Sequence, residues 1–406
     1  MSLPLRVLHV VPHLDRIGGY EGQARTLARQ QHRRQAVAPI LLTHAEPGLP
    51  NQERGLMGAV HRLDRGLRRF HPGSWWKRHG TDVDVVHAHA LHKLTGQVLA
   101  HAHQANLPTV VKVATDHDVA MFADTDGWRD LVGDDLDGAV GVRWRLMASA
   151  AWKRLRPAGI FVALTDTIER QLLDLGLQTV RVPNGVDTQT YAPVGDDERL
   201  AARADLGLDV EGCCIAYVGR LARRKRVAVV VEAFHRLVQR GDESSQLVIA
   251  GDGAERSDLM RQVHASGIER RVTFTGQIEN VRTVLAAADV SVSPSRREGM
   301  PNAVLEAWSS EIATVLSDIP AHRALARDTN DETALFFPVD DATALTARLE
   351  DLVRAPERRR GLGRTARELV LAHHTVTHVE RSYETLYRDL LARPIDRSST
   401  NARGTA

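Results

Sequence analysis

The stretch ADVSVSPSRREGMPNAVLEAW, from Ala288 to Trp308, contains the pattern that decides the fold. Its first part is typical of a buried β-strand, and its last part predicts a helix. Glu298 and Glu306 stand on either side of the Gly-Met-Pro turn. Free amides at a helix start attract anions, so carboxylates there could accept hydrogen bonds from hydroxyls while the amides bind a phosphate. Acids in early helical turns are also common because they offset the helix dipole, and the spacing alone leaves both interpretations open.

The composition predicts a globular protein of two domains. The chain has 406 residues, which is more than one ordinary core accommodates. Its hydrophobic content is 43%, and its net charge of +2 gives no general attraction to nucleic acid or membranes. The two cysteines, Cys213 and Cys214, are adjacent in an apolar run, so we expect buried strand residues rather than a disulfide or a zinc site.

Hydropathy favours a cytoplasmic protein. The apolar run LRVLHVV ends at Pro12 without a cleavage region, which predicts a first strand rather than a signal peptide. No apolar run reaches the length of about 18 residues that a membrane span requires.

Apolar runs alternate with helical stretches along most of the chain. They are continuous rather than alternating with polar residues, as in parallel sheets covered on both faces. The predicted strands are LRVLHVV, VAPILLT, VDVVHAHA, TVVKVAT and GIFVALT in the first half, and CCIAYVG, SQLVIAGDG, RVTFTG, ADVSVSPS and IATVLSD in the second. The pattern predicts two doubly wound α/β domains of similar architecture.

Turn formers and charges between Asp187 and Asp196 indicate the domain boundary. We therefore predict an N-terminal domain over residues 1–190 and a C-terminal domain over residues 191–372. Residues 394–406 are polar without apolar periodicity, so we expect a disordered tail.

Two loops carry groups suited to phosphate. Gly18 and Gly19 follow the first strand and precede a helix, where a phosphate can approach the backbone closely. A plain tight turn is the alternative, and the absence of G-x-G-x-x-G disfavours a nicotinamide site. In YVGRLARRKRV, Tyr217 to Val227, Arg220 and Lys225 follow a strand end. Ligands bind at such ends in open α/β sheets, which favours phosphate binding by Arg220.

Three histidines lie near predicted strand ends. His117 stands between Asp116 and Asp118, where it could position a reacting group or serve as a hydrogen-bonded loop residue. His87 and His89 share one face of a strand. A metal pair there lacks a third ligand of sensible spacing, so we favour structural packing.

Two charged segments bear on further partners. The basic residues from Arg62 to Arg78, with Phe70, Trp75 and Trp76, could contact an anionic membrane, line an acceptor site or form a solvated surface. The acidic loop from Asp118 to Asp137 could attract a cationic acceptor or be solvated.

The ordered set of segments resembles the retaining glycosyltransferases of the GT-B fold, the large glycogen-synthase-like and phosphatidylinositol-mannosyltransferase-like family (glycosyltransferase family 4 type). The resemblance covers nearly the whole chain. It rests on GGYEG, DVVHAHA, VATDHD, VPNGVD, YVGRLARRK, AGDG, FTG and EGMPNAVLE. It implies two Rossmann-like domains facing across a cleft, with helices over residues 373–393 crossing back to the first. Tyr383 and Tyr387, one turn apart, suit the packing face of that return.

The resemblance also implies roles for particular residues. Arg220 and Lys225 would hold the diphosphate of a nucleotide sugar, Glu306 the ribose and Glu298 the donor sugar. The residues that it places around the donor are Gly18, Gly19, Arg220, Lys225, Glu298, Gly299, Met300, Asn302 and Glu306. The residues that it places at the reacting centre are His117, Arg220, Lys225 and Glu298. Arg226 departs from the family pattern, which often has glycine after the lysine.

The implied activity is hexosyl transfer with retention, from a UDP- or GDP-sugar to a hydroxyl acceptor, without a cofactor or a metal in the donor site. The acceptor could be a small natural-product core such as an aminocyclitol. The alternative is a peripheral membrane enzyme, at the inner face of the membrane, that builds a lipid-linked sugar or a cell-surface polysaccharide. A third hypothesis is a sugar-nucleotide-binding protein without catalysis. No partnership with nucleic acid is expected, and the sequence does not indicate an oligomeric state.

Overall fold

The computed structural model of the chain describes residues 3–15, 18–63, 72–115, 119, 159–278, 280–326 and 332–392. The chain divides into two compact units. The N-terminal unit comprises Met1–Val182 and Thr377–Ala406, and the C-terminal unit comprises Pro183–Val376. The predicted disordered tail, residues 394–406, lies outside the described residues.

The unit boundary lies a few residues before the predicted one. Val186 donates a backbone hydrogen bond of 2.8 Å to the carbonyl of His374 and forms a parallel bridge with Thr375. These contacts tie the start of VPNGVD to residues of the C-terminal unit. Turn composition alone could not reveal a pairing with a segment so distant in sequence.

The N-terminal unit is built on an eight-stranded sheet. Its strands are β1 (Leu5–Val10), β2 (Val37–His44), β3 (Gln52–Gly55), β4 (Gly58–Leu63), β5 (Val85–Ala88), β6 (Thr109–Val113), β7 (Ile160–Ala163) and β8 (Thr179–Arg181). The strand order is β3-β4-β2-β1-β5-β6-β7-β8, and all pairs are parallel except β3 with β4. All five strands predicted in this half are present, and β1 lies between β2 and β5 in the sheet.

The helices described before the boundary are α1 (Gly19–Arg34), α2 (Pro72–His79), α3 (Lys93–Gln104) and α4 (Asp166–Asp174). Strands β3, β4 and β8 were not predicted from the sequence. The β3 segment is polar and mostly exposed at the sheet edge, and β8 has only three residues. Neither contains the apolar run on which the strand prediction depends.

The C-terminal unit has a six-stranded parallel sheet. Its strands are β9 (Cys214–Val218), β10 (Gln246–Ala250), β11 (Val272–Gly276), β12 (Val290–Ser293), β13 (Ala313–Ser317) and β14 (Leu335–Phe337), in the order β11-β10-β9-β12-β13-β14. The five predicted strands are present, and only the three-residue edge strand β14 was missed. Cys213 and Cys214 are free and buried as predicted, and burial raises the pKa of each thiol to about 12.

The helices that follow are α5 (Asp196–Asp205), α6 (Val227–Gln239), α7 (Arg256–Ala265), α8 (Val281–Ala287), α9 (Asn302–Ser309), α10 (Pro320–Leu325), α11 (Ala342–Arg354), α12 (Pro356–His373) and α13 (Val376–Ala392). Helix α13 packs in the N-terminal unit, where Tyr383 and Tyr387 are fully buried against Val7 and Val85. The predicted packing face of these tyrosines is therefore confirmed. Within the described ranges, no helix is long and apolar enough to cross a membrane.

Two glycines of α12 provide a test of packing in the C-terminal unit. A Cβ at Gly363 would lie 2.0 Å from the carbonyl oxygen of Glu311, whereas a Cβ at Gly361 would meet no atom within 4 Å. Gly363→Ala should lower the free energy of unfolding by ~1–3 kcal/mol, because α12 must move away from the loop after α9. Gly361→Ala is the matched control and should raise it by ~0.5–1 kcal/mol, because alanine restricts the unfolded chain. Urea unfolding measures both changes, and equal effects would contradict this packing.

Candidate active site

The strand order of the C-terminal sheet reverses between β9 and β12, which are neighbours. Because both strands are parallel, their carboxyl ends lie at the same edge of the sheet. Arg220 follows β9 in one loop, and Glu298 follows β12 in the next. Ligands of open α/β sheets bind outside the strand ends at such a reversal. The topology thus brings the two strongest predicted site segments to adjacent loops.

A buried ion pair joins these loops. The Lys225 ammonium contacts Oε1 of Glu298, and the side chains are 18% and 9% exposed. Ser295 donates a hydrogen bond of 2.7 Å to the same carboxylate oxygen. Burial alone would raise the pKa of Glu298, but the attraction of Lys225 and these hydrogen bonds outweigh it, and the pKa lies below its ordinary value. The carboxylate is therefore ionised at neutral pH.

His322 is a buried residue that was not predicted to belong to the site, and it contacts the residues that hold the Glu298 segment in place. Its Nδ1–H donates to the carbonyl oxygen of Ser317 at 2.8 Å, and its Nε2 lies 3.2 Å from the Ser293 hydroxyl. The Ser317 hydroxyl in turn donates to the carbonyl of Ser295. Burial lowers the pKa of His322, so the ring is uncharged at neutral pH. His322 is thus a positioning group for the segment that carries Glu298.

Arg220 is held by its backbone rather than by its side chain. The Tyr217 hydroxyl donates to the Arg220 carbonyl at 2.9 Å. The guanidinium is exposed, and no carboxylate in the described part of the chain pairs with it. The loop lies against the loop after β10 so closely that a Cβ at Gly251 would lie 1.9 Å from the Gly219 carbonyl oxygen. A free guanidinium on a rigid turn is available to bind phosphate oxygens.

Arg226 stands where the family often has glycine, and it adopts a backbone conformation that glycine favours. Its φ of 52° and ψ of 34° lie in the left-handed region, which glycine adopts without strain and other residues adopt at ~1–2 kcal/mol. Its side chain forms an ion pair with Asp340, and Arg296 contacts the other carboxylate oxygen of Asp340 at 2.7 Å. The loop therefore keeps a glycine-like conformation, and Asp340 links the loops that follow β9, β12 and β14.

Glu306 lies on α9, near the helix start where the sequence predicted it. The residue is half-buried, and loss of solvation raises the pKa of its carboxyl group to about 7. Tyr191 is close enough for the charge of Glu306 to help raise the pKa of the phenol. Unlike Glu298, Glu306 has no cation among the described residues that offsets its burial. The two predicted carboxylates thus share one segment but have opposite pKa shifts.

The start of α9 is held by a residue that the sequence analysis did not single out. The Asn184 amide donates to the Asn302 side-chain oxygen at 2.8 Å and to the Met300 carbonyl at 3.4 Å. Asn184 belongs to VPNGVD, which the sequence analysis used only as a landmark. Gly299, which is buried, precedes these contacts in the same turn. A motif whose function is to position a distant loop leaves no local pattern that would reveal it.

Gly18 and Gly19 belong to the N-terminal unit, at the start of α1 as predicted. Gly18 is extended, and a Cβ there would lie 2.2 Å from Oε2 of Glu21. The carboxylate of Glu21 thus lies against the helix start, which the sequence analysis assigned to phosphate. Glycine at position 18 leaves room for this carboxylate, while the phosphate role stays a prediction.

Other predicted features have different outcomes. His117 and the acidic loop Asp118–Asp137 lie outside the described residues, apart from Val119.

Arg62 is buried in ion pairs of 2.9 Å with Asp15 and Glu53, so it does not belong to an exposed basic surface. Arg62 is enclosed because it lies on β4, a strand that was not predicted, whereas residues 64–71 of the basic segment, Phe70 among them, lie outside the described residues.

The expectation that His87 and His89 lack a third partner was wrong. His9, on the neighbouring strand β1, lies with its Nδ1 2.9 Å from Nε2 of His89. One ring nitrogen from each of the three side chains lies within 4.8 Å of the others. The sequence could not pair His9 with them, because the register of β1 against β5 is a property of the sheet.

Comparison with known proteins gives two consecutive family matches. Residues 17–190 match "Glycosyltransferase Family 4", and residues 198–369 match "Glycosyl transferases group 1". An alpha-D-kanosaminyltransferase of Streptomyces kanamyceticus is 30% identical over 201 residues, which cover 48% of this chain and 51% of that protein. An alpha-maltose-1-phosphate synthase of Mycobacterium tuberculosis is 29% identical over 223 residues, covering 52% and 57%. The chain thus aligns with little more than half the length of these relatives.

The structure of Anabaena HepE in complex with UDP-glucose has the same fold. It superposes with a TM-score of 0.75 and 15% identity, covering 95% of this chain and all of that one. The family matches follow each other along the chain and coincide with its two parallel-sheet units. The chain therefore belongs to the glycosyltransferases of the GT-B fold, of the family 4 type.

Proposed function

We propose that this protein transfers a hexosyl group, with retention of configuration, from a nucleotide-diphosphate sugar to a hydroxyl acceptor. The observation that carries the proposal is the buried pair of Lys225 and Glu298 beside the exposed Arg220, at the reversal of the C-terminal sheet. The arrangement combines two cations suited to a diphosphate with an ionised carboxylate suited to sugar hydroxyls.

In this mechanism the bond between the anomeric carbon and the diphosphate breaks first. Arg220 and Lys225 stabilise the negative charge that develops on the leaving diphosphate. The described hydrogen bonds of Glu298 are made to Oε1, so in this mechanism Oε2 accepts hydrogen bonds from donor hydroxyls. The acceptor hydroxyl attacks from the face that the diphosphate leaves and gives its proton to the departing phosphate. Configuration is thereby retained without a covalent enzyme intermediate.

The acceptor that we propose is a small natural-product core such as an aminocyclitol. The similarity to an alpha-D-kanosaminyltransferase supports this choice over a lipid-linked acceptor. The alternative depended on the basic residues from Arg62 to Arg78. Among those that the structure describes, Arg62 is buried in ion pairs and Trp75 lies in the interior. Lys77 and Arg78 remain exposed.

Donor binding and transfer can be tested on the purified chain. A panel of UDP-, GDP- and ADP-sugars should yield one donor that raises the melting temperature, since a ligand that binds only the folded state stabilises it by RT ln(1 + [L]/Kd). Incubation of that donor with aminocyclitols should give a product whose anomeric NMR coupling matches the donor. Transfer only to lipid-linked acceptors, with sedimentation on anionic vesicles, would support the alternative. Donor binding without transfer or hydrolysis would indicate a binding protein.

Substitutions in the ion pair should impair catalysis more than folding. Glu298→Gln and Lys225→Met should each lower kcat by roughly 10²–10³-fold, because each removes a charge directed at the donor. Arg223→Met is the matched control, since Arg223 is exposed in the same short turn and should be dispensable. Steady-state kinetics and circular dichroism measure the two effects. Turnover near the wild-type rate in either pair variant would refute this assignment.

The raised pKa of Glu306 predicts a pH-dependent affinity for the donor. The carboxyl group ionises near pH 7, and the anion accepts stronger hydrogen bonds from ribose hydroxyls. Affinity should therefore rise several-fold between pH 6 and pH 8, as measured by calorimetry. Glu306→Gln should flatten this profile.

The contribution of Glu306 to the free energy of unfolding should fall as pH rises, whereas donor affinity should rise. The folded-state pKa of Glu306 exceeds its unfolded value, so its contribution is fully present below about pH 4.5 and is lost as pH rises through about 7. Glu306→Gln should thus be more stable than the wild type at pH 8 but not at pH 5. A donor affinity independent of pH in the wild type would contradict the ribose role.

A further inference from the structure

Three fully buried histidines gather where the strand order of the N-terminal sheet reverses. His9 lies on β1, His87 on the adjacent strand β5, and His89 directly after β5. His9 and His87 are paired in the parallel register of the two strands, and their ring centroids are 5.3 Å apart. The rings of His87 and His89 stack at 4.1 Å. Sheet register thus brings three imidazoles into one enclosed volume.

The outer nitrogens of this cluster have oxygen partners. Nε2 of His9 lies 2.8 Å from the side-chain oxygen of Gln31 on α1. Because that oxygen only accepts, Nε2 carries the proton and Nδ1 keeps a lone pair directed at His89. Nδ1 of His87 lies 2.7 Å from the Tyr387 hydroxyl on α13. Metal-binding histidines characteristically have such a partner on the nitrogen that does not bind the metal.

Several buried polar atoms of the cluster lack hydrogen bonds. Among the described residues, Nε2 of His87, Nδ1 of His89 and the Tyr383 hydroxyl are enclosed without a partner. The Tyr383 ring lies 4.7 Å from that of His87. An unsatisfied buried polar group costs ~1–3 kcal/mol, and of these atoms Nε2 of His87 is the one that an ion bound to the three histidines would satisfy.

We propose that His9, His87 and His89 bind one transition-metal ion of the zinc class within the N-terminal unit. Their nearest ring nitrogens already lie within 4.8 Å of one another, and tetrahedral Zn²⁺ requires roughly 3.3 Å between ligand nitrogens. Three neutral imidazoles suit Zn²⁺, Co²⁺ or Ni²⁺ better than the hard cations. Binding replaces the hydrogen bond between His89 and His9, and the proton on Nε2 of His89 moves to its Nδ1.

The burial of the site determines the role of the ion. All three histidines are at most 1% exposed, so the ion would be taken up as the unit folds. Once bound, it would join β1 to β5 and, through the hydrogen bond from His87 to Tyr387, to α13. Lys112, also buried, is close enough for its charge to act on His87 and His89 and would oppose a divalent ion. This structural role is independent of the transfer reaction proposed above.

Metal content tests the proposal directly. The full chain, expressed without a histidine tag in medium containing Zn²⁺, should retain about one equivalent of zinc after dialysis against EDTA, as measured by mass spectrometry. Protein produced in medium containing Co²⁺ should show the visible absorption of tetrahedral cobalt with nitrogen ligands. Denaturation in EDTA followed by refolding should give metal-free protein that melts several degrees lower. Wild-type protein with neither metal nor the cobalt spectrum would overturn the proposal.

Single substitutions assign the ligands. His9→Gln and His89→Gln should lose the metal, whereas His13→Gln should retain it, because His13 lies outside the cluster on a partly exposed surface. Loss of metal in the His13 variant, or retention in both ligand variants, would refute the site. If the ligand variants do not fold, the cobalt spectrum of the wild type still decides between a bound ion and a purely hydrogen-bonded cluster.

Discussion

The ion pair between Lys225 and Glu298 is the constraint on which the C-terminal site depends. A carboxylate that is 9% exposed remains an anion only if a cation accompanies it. The lysine comes from the loop after β9 and the glutamate from the loop after β12, so these two loops must keep a fixed position relative to each other. A backbone hydrogen bond of 2.9 Å from Arg296 to Arg224 and the shared contacts of Asp340 with Arg226 and Arg296 maintain it. These contacts join the loops that follow β9, β12 and β14 into one continuous surface.

The same site also depends on residues outside the sheet, in the segment that contains Asn184 and Val186. Val186 packs with Leu305 and Trp308 of α9, and Asn184 holds the turn that begins this helix. The position of Glu306 is therefore set by the segment that opens the C-terminal unit. The raised pKa of Glu306 follows from that packing, because the helix is enclosed on its apolar face while the carboxyl group gains no compensating cation from the described part of the chain.

The sequence predicted what depends on local pattern. Continuous apolar runs predicted ten strands, and the rule that ligands bind at strand ends favoured Arg220. The donor roles of Lys225 and Glu298 were implied by the family resemblance. Three of the missed strands, β3, β8 and β14, are short edge strands, whose existence depends on a neighbour rather than on their own residues. The support of Glu298 by His322 and the approach of His9 to His89 were missed for a related reason. Both join segments far apart in sequence, and only strand register brings them together.

Strand reversal gathers polar side chains in both units, but the surroundings decide whether they are charged. At the reversal between β9 and β12, Lys225 and Glu298 neutralise each other, and Arg220 is open to solvent. At the reversal between β1 and β5, the histidines are enclosed beside Tyr383 and Tyr387 of α13. Burial there lowers the pKa of His9 to about 4, which leaves neutral rings. The same topology thus produces a charged site where the strand ends are open and an uncharged cluster where a helix covers them.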